Sequence, residues 1–327
     1  MGAINNFTKK IMKKTSFYKQ YNRRLEELEK KQKALEKVAN NYNQLFNTLY
    51  LDYDLTPKPI LKGFQDLSVE FLIFINNICK KYDLQWAISS GLILGAMRHD
   101  GFVPWDDDLD SIILRTDYNT LIDVIEDELE LYGLQDNIGI QYQRKRKVEG
   151  KLIDTFLQMY YVDSEQDQPR LTSLDFFPYD YKTDYTGGDI GPSYEKARVK
   201  YFKDIADGLD RETRLKNYYE DFHLSYEKQD YMMEGAEGVL EMKRRIKPCI
   251  YQTDKILPFK PIKFNGVMLP GPNNPDYYLT TLYGNWRKIP KGIHFHGRMA
   301  RLRKNPNTVE LYERNIKKLK EVNAKFE

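Results

Sequence analysis

The 327-residue chain is 30% charged and 41% hydrophobic, a globular balance that excludes wholesale disorder and suffices for one large or two smaller cored domains. A net charge of +3, with acids and bases interspersed, excludes bulk nucleic-acid binding. No apolar run reaches the roughly 20 residues of a membrane span, and the basic N-terminus lacks the apolar segment of a secretory signal.

Cys79 and Cys249 stand far apart without metal-ligand spacing, so a cytoplasmic protein with buried thiols is expected. The 25 Tyr and 16 Phe supply flat rings, suited to half-buried positions or to stacking on bases, sugars and methylated cations.

Residues 1–58 differ from the rest. Lys9, Lys10, Lys13, Lys14 and Lys19 alternate with Phe7, Ile11, Met12, Phe17 and Tyr18, a pattern for an anionic membrane surface or a solvated helix end. Tyr21, Leu25, Leu28, Gln32, Leu35, Ala39, Tyr42, Phe46 and Leu49 then recur at heptad spacing. That spacing predicts a coiled coil or helical hairpin, giving a homo-oligomer through residues 21–49, or a long helix folded back on its own domain. Thr56-Pro57-Lys58-Pro59 ends it, since proline removes a donor and biases its predecessor to extended geometry.

A core helix follows, with Leu61, Phe64, Leu67, Phe71, Leu72, Ile75, Ile78, Cys79 and Tyr82 on one face. A short strand over 84–88 leads into the turn Ser89-Ser90-Gly91 and a helix over 92–98. The amides at that helix start point back to the turn, where they suit a phosphate. Arg98 and His99 follow and are candidates to neutralise it.

Pro104 and Trp105 introduce Asp106, Asp107, Asp108 and Asp110, four carboxylates within five residues. Like charges so crowded destabilise a surface unless a cation or strong donors neutralise them. A strand over 108–114 points Asp106, Asp108 and Asp110 the same way, as oxygen ligands for a hard divalent cation. A calcium loop of EF-hand type fits badly, because Ser111 stands where a glycine is needed and Asp117 where a bidentate glutamate is needed.

Thr116 is expected to cap the next helix, which carries Leu121, Ile122, Ile125 and Leu129 on one stripe and stops at Gly133. Three strand-like runs, 138–143, 151–162 and 171–179, have short connections that imply antiparallel hairpins. Asp175 lies inside the third, in Leu174-Asp175-Phe176-Phe177-Pro178. A carboxylate so embedded is costly unless paired or metal-bound, which makes it a third ligand candidate.

From Pro192 to Pro248 the pattern is helical and highly charged, without strand signal. Asn265-Gly266 marks a hairpin turn, and a short helix through Tyr277, Tyr278 and Leu282 follows. Arg287 and Lys288 are candidate phosphate contacts. His294 and His296 share one side of an extended segment and suit pyrophosphate or acid–base work near neutral pH; zinc would need a cysteine or third histidine nearby. The last helix, about 308–325, is polar enough for a surface position.

A Ser-Gly turn, a helix, an Asp-x-Asp strand and a distant carboxylate on a neighbouring strand fit two divalent ions, Mg²⁺ or Mn²⁺, about 3.5–4 Å apart in a phosphoryl transfer. This is the constellation of the nucleotidyltransferase superfamily. GLILGAMRHDGFVPWDDDLD resembles more closely the signature of the LicD family, to which the fukutin-type transferases are related, and LDFFPYD and LYGNWRKIP…HFH resemble its downstream blocks. The resemblance runs from about Leu67 to His296.

It implies an α+β fold, a mixed or antiparallel nucleotidyltransferase-like sheet with flanking helices; the N-terminal coiled-coil-like helix and much of the helical insertion, read from their own patterns, lie outside the resemblance. It also implies transfer of phosphocholine or an alditol phosphate from a CDP-linked donor to a hydroxyl of a cell-surface glycan, with release of CMP. Ser90 and Gly91 match the donor-phosphate turn, and Asp108, Asp110 and Asp175 the metal carboxylates, with Asp106 in support. The alternatives are transfer of a nucleoside monophosphate from an NTP to a small molecule, and a non-catalytic coiled-coil scaffold. The expected organisation is an N-terminal segment over 1–58, a catalytic core over 59–190, a helical insertion over 191–250 and a part completing the core over 251–327. The expected place is the cytoplasm, with peripheral contact at the inner face of the membrane.

Overall fold

The computed structural model describes residues 16–52, 58–141, 146–148, 151–153, 156–165, 170–239, 248–288 and 301–326. The basic run at Lys9 to Lys14 and the pair His294 and His296 lie outside them. Two compact units result, one of residues 1–55 with 287–294, the other of residues 56–286 with 295–327.

In the first unit, α1 (Ser16–Asp52) is one continuous helix, so the heptad positions do not fold into a hairpin. Its apolar positions Tyr21, Leu25, Leu28, Leu35, Tyr42 and Phe46 are all exposed. Pairs such as Arg23–Glu27 at 3.5 Å and Gln32–Glu36 at 3.0 Å support it along its own surface.

The second unit runs α2 (Pro59–Lys81), β1 (Trp86–Ile88), α3 (Ser90–His99), β2 (Leu109–Leu114), α4 (Arg115–Leu131), β3 (Ile138–Gln141), β4 (Arg146–Val148), β5 (Lys151–Ile153), β6 (Leu157–Tyr161) and β7 (Thr172–Lys182). It continues with α5 (Gly191–Asp207), α6 (Arg211–Phe222), β8 (Leu224–Ser225), β9 (Tyr231–Glu234), α7 (Ala236–Val239), β10 (Ile250–Gln252), α8 (Thr253–Ile256), β11 (Lys260–Phe264), β12 (Val267–Gly271), α9 (Pro275–Tyr283) and α10 (Thr308–Asn323). This is the expected α+β class: a mixed eight-stranded sheet with helices against it.

The sheet runs β1-β2-β7-β6-β3, with β8 and β9 on the far half of β7 and β10 beside β9. Its centre is β7, eleven residues of nearly unbroken burial. β3, β6 and β7 pair antiparallel, as the short connections require. β2 pairs with β7 in parallel, with Asp110 opposite Asp175, a pairing across more than sixty residues that no local pattern announces. The run 151–162 divides into β5 and β6, and β9 lies in the stretch read as purely helical. Tyr231-Met232-Met233-Glu234 has no β-branched residue, and its strand conformation comes from pairing with β7 residues Tyr179 to Lys182.

The core helix α2 buries Phe64, Leu67, Phe71, Leu72, Ile75 and Ile78 completely. Against it lies α10, which polar composition marks as a surface helix but which buries Leu311, Tyr312, Leu319 and Val322. The reason is a single apolar stripe that average polarity hides. The Tyr312 hydroxyl donates to the Leu171 carbonyl at 2.9 Å. Thr116 is not a cap: α4 starts at Arg115 without a side-chain cap. Gly133 stops the helix as expected, at φ +68°.

Asn265 and Gly266, at φ +46° and +82°, form the predicted hairpin turn. The turn also positions the site. Asn265 donates from its amide to the Asp100 carbonyl at 2.7 Å and accepts from the Phe102 amide at 2.9 Å. A Cβ on Gly101 would stand 1.8 Å from the Asn265 side chain, so glycine is needed for this docking of the segment that precedes the acidic run.

Much of the tyrosine surplus is structural. Tyr194, Tyr201, Tyr218, Tyr219 and Phe222 of α5 and α6 form a second hydrophobic cluster with Met233 of β9.

Candidate active site

The registers of four adjacent strands set one polar row across the sheet. Asp110 on β2 faces Asp175 on β7, Asp175 faces Gln158 on β6, and Gln158 faces Gln141 on β3. Residues in register on neighbouring strands share a face, so these side chains form a line. Ser89 directly follows β1 beside it, its amide donating to the Asp110 carbonyl at 3.0 Å.

β2 starts at Leu109, so strand alternation does not place Asp106 and Asp108. A loop does. The Asp106 amide donates to the Val103 carbonyl at 2.9 Å, and the buried Gln65 of α2 donates to the Asp106 carbonyl at 3.3 Å. Asp106 and Asp108 thereby act electrostatically on Asp110, together with Asp175. Asp107 is buried.

Asp110 keeps some solvent contact yet is closely surrounded by protein, and this loss of hydration, then the carboxylates of Asp108, Asp175 and Asp106, push its carboxyl well above the usual range. A hydrogen bond from the Ser90 side chain works against that shift without cancelling it. Among the described residues no three His, Cys, Asp or Glu side chains are gathered tightly enough to form a closed metal cage. The donor chemistry nevertheless suits a hard cation: several carboxylate oxygens, one in a partly dehydrated position, with mutual repulsion that a positive charge would relieve.

Ser90 opens α3 in the left-handed region, at φ +49°. Non-glycine residues held there cluster at functional sites. Its amide donates to the hydroxyl of Tyr278 on α9 at 3.1 Å. Burial pushes the Tyr278 hydroxyl up to about 12, against hydrogen bonds from the Ser90 turn that lower it. Leu92 and Ile93 donate back to the Ser89 carbonyl at 3.0 and 3.4 Å. The turn is therefore largely satisfied by protein, and Gly91 packs against the acidic loop, where a Cβ would stand 2.7 Å from an Asp106 carboxylate oxygen.

α3 carries Arg98 and His99 to its other end, about 12 Å along the axis from Ser90 at the usual rise per residue. There the Arg98 guanidinium lies 5.8 Å from the Trp286 ring centre. Lys288 is exposed and falls in the first unit with Arg287. The row thus unites Asp110 and Asp175, with Asp106, Asp108, Ser90 and Gly91 beside it; Arg98 and His99 stand apart from the turn.

Sequence reasoning missed Gln158, Tyr278 and Tyr283. Tyr283 ends α9; its hydroxyl is raised by lost hydration and by Tyr278, Asp110 and Asp106, while the residue as a whole is 46% exposed. The short helix through Tyr277 and Tyr278 was expected as an element, but nothing local tied α9 to Ser90.

Comparison with known proteins follows the same outline. Residues 83–213 match the family model described as "LicD/FKTN/FKRP, nucleotidyltransferase domain". The lipopolysaccharide cholinephosphotransferase LicD of Haemophilus influenzae is 25% identical over 128 residues, which is 35% of this chain and 48% of that relative. The match therefore spans about half the length of the relative. The family match includes Ser90, Gly91, all four acidic positions and Asp175, and excludes α1 and residues 287–296.

Proposed function

We propose, for a chain that belongs to the LicD family through residues 83–213, that it is a metal-dependent phosphotransferase. It moves a substituted phosphate, phosphocholine or an alditol phosphate, from a CDP-linked donor to a hydroxyl of a cell-surface glycan and releases CMP. The observation that carries this reading is the crowded Asp110, with Asp106, Asp108 and Asp175 acting on it beside the Ser90-Gly91 turn.

Asp108, Asp110 and Asp175, with Asp106 in support, would hold one or two Mg²⁺ or Mn²⁺ ions, which when bound neutralise pyrophosphate and stabilise the attacking and leaving oxygens. The Ser90-Gly91 turn would receive a donor phosphate, with a bound cation offsetting the Asp106 carboxylate that lies against Gly91. The acceptor hydroxyl forms its new bond to the donor's outer phosphorus as the bond to CMP breaks, and its proton passes to an Asp175 carboxylate oxygen. CMP leaves with the electron pair of the broken bond. Tyr283 offers its exposed ring to the transferred group or the base.

In this reading the protein works in the cytoplasm, and the uncovered heptads of α1 pair with a second copy. Among the described residues no helix is long and apolar enough to cross a membrane.

Purified protein with Mg²⁺ and CDP-choline, CDP-ribitol or CDP-glycerol is expected to release CMP with one donor preferred, and that donor is expected to raise the melting temperature. Asp110→Asn is expected to abolish turnover. Full turnover in that variant would remove the metal assignment, and pyrophosphate release from a free NTP would favour nucleotidyl transfer.

A further inference from the structure

The polar row does not end at Asp175. Gln158, only 4% exposed, donates from Nε2 to Asp175 Oδ1 and accepts at Oε1 from Arg170 Nη1 at 2.6 Å. A guanidinium can only donate, so Arg170 dictates which end of the carboxamide is which: the oxygen faces the arginine, and the amino group is left facing the aspartate. Arg170 also donates to Gln141 Oε1 at 2.7 Å, which ties it to the last residue of the row.

Arg170 is itself held in place. Its guanidinium lies 3.7 Å from the Tyr160 ring centre, a stacked geometry that fixes the fork. The Tyr160 ring in turn lies flat over its partner Gly139, where a Cβ would stand 2.2 Å from the ring. Glycine in the strand thus admits the ring, the ring carries the arginine, the arginine orients the glutamine, and the glutamine holds the carboxylate.

We propose that Gln158, oriented by Arg170, is the positioning residue that sets the rotation of the Asp175 carboxylate against Asp110. This rests on the reading of Asp175 as a metal and proton-accepting carboxylate given above. A buried carboxamide on a central strand, both ends committed, does not serve packing alone, since an apolar side chain would fill the position without needing partners. Outer partners that orient metal-binding groups typically govern affinity and turnover by 10–100-fold.

The test compares Gln158→Leu, Arg170→Met and the double variant, with Asp175→Asn as reference. Each is assayed for CMP release with the preferred CDP donor, and for Mn²⁺ affinity by calorimetry on metal-free protein. Arg170 is exposed, so Arg170→Met retains the fold and keeps the test decisive even where Gln158→Leu does not fold. Gln158→Leu is expected to lower kcat on the order of tenfold, to weaken Mn²⁺ binding and to leave the donor KM unchanged. Arg170→Met is expected to do the same to a smaller extent, and to add nothing in the Gln158→Leu background, because it acts through that residue.

Wild-type kcat and Mn²⁺ affinity in Gln158→Leu, or in Arg170→Met, would overturn the positioning role, as would single effects that multiply in the double variant. Either result in an active wild type leaves the phosphotransferase reading standing. A wild type that neither binds Mn²⁺ nor releases CMP removes that reading and this inference with it.

Discussion

Arg115→Leu is the perturbation whose consequence the structure makes most explicit. Arg115 follows directly on β2, and Asp180 lies five residues beyond Asp175 on β7, so the parallel register that sets Asp110 against Asp175 also sets Arg115 against Asp180. Arg115 donates to both Asp180 oxygens at 3.0 and 2.9 Å and to both Glu237 oxygens at 2.6 and 2.7 Å. All three side chains are at most 6% exposed. Arg211, at 41% exposure, supplies a further bond to Glu237 at 3.0 Å, too little to replace a guanidinium shared by two acids.

Removing one member of such a buried set strands the others, at a cost of about 3–5 kcal/mol. The pH dependence supplies the sign. Burial by itself raises Glu237, but Arg115, with help from Arg211 and a backbone hydrogen bond, outweighs it and holds the carboxyl below its usual range. The wild-type pair therefore contributes stability above the unfolded-state carboxylate pKa and loses it as pH falls through the lower folded one. In Arg115→Leu burial acts unopposed by Arg115, so Glu237 takes up a proton more readily, and the gap between variant and wild type is expected to narrow on acidification. Urea unfolding at pH 7 and near pH 4.5, with the slope checked for constancy, measures both quantities. A deficit below about 1 kcal/mol at pH 7, or one independent of pH, would refute the clamp. CMP release should fall as well, because slack between β2 and β7 reaches Asp110 and Asp175.

Three further outcomes are expected. Gly91→Ala places a methyl 2.7 Å from the Asp106 carboxylate, whose flexible end swings away; turnover should drop on the order of 100-fold while stability changes by less than about 1 kcal/mol, as read by parallel activity and melting assays. Tyr312→Phe leaves the Leu171 carbonyl without its 2.9 Å donor, a loss of about 1–3 kcal/mol in urea unfolding with kcat unchanged. Leu28→Asp with Leu35→Asp charges the α1 stripe, whose residues are 50% and 69% exposed, and should lower the oligomeric mass by analytical ultracentrifugation without loss of folded protein; an unchanged mass would remove α1 as an assembly surface.

Legibility divides along a physical line. α2 is announced by its apolar period, the end of α4 by Gly133, and the β11–β12 turn by Asn265-Gly266, because helix period and turn dihedrals are decided within a few residues. The acidic run and the Ser-Gly turn were likewise visible as chemistry out of place on an ordinary surface. What residues 106–110 alone did not contain was their partner geometry: Asp106 and Asp108 are set by a loop held by Gln65 and Asn265, not by strand alternation.

The amino-acid sequence by itself determined most of the elements, the buried face of α2 and the turns, since each of these rests on side-chain type and local spacing. Only the tertiary structure decided that β2 lies parallel to β7 with Asp110 against Asp175, that Gln158 and Arg170 stand behind that pair, that Tyr278 closes the Ser90 amide, and that α10 belongs to the core. Those are contacts between residues at least 12 positions apart, most of them more than sixty. Which of them form depends on which buried faces and unsatisfied polar groups complete one another once the chain is collapsed, and no window of sequence holds both halves.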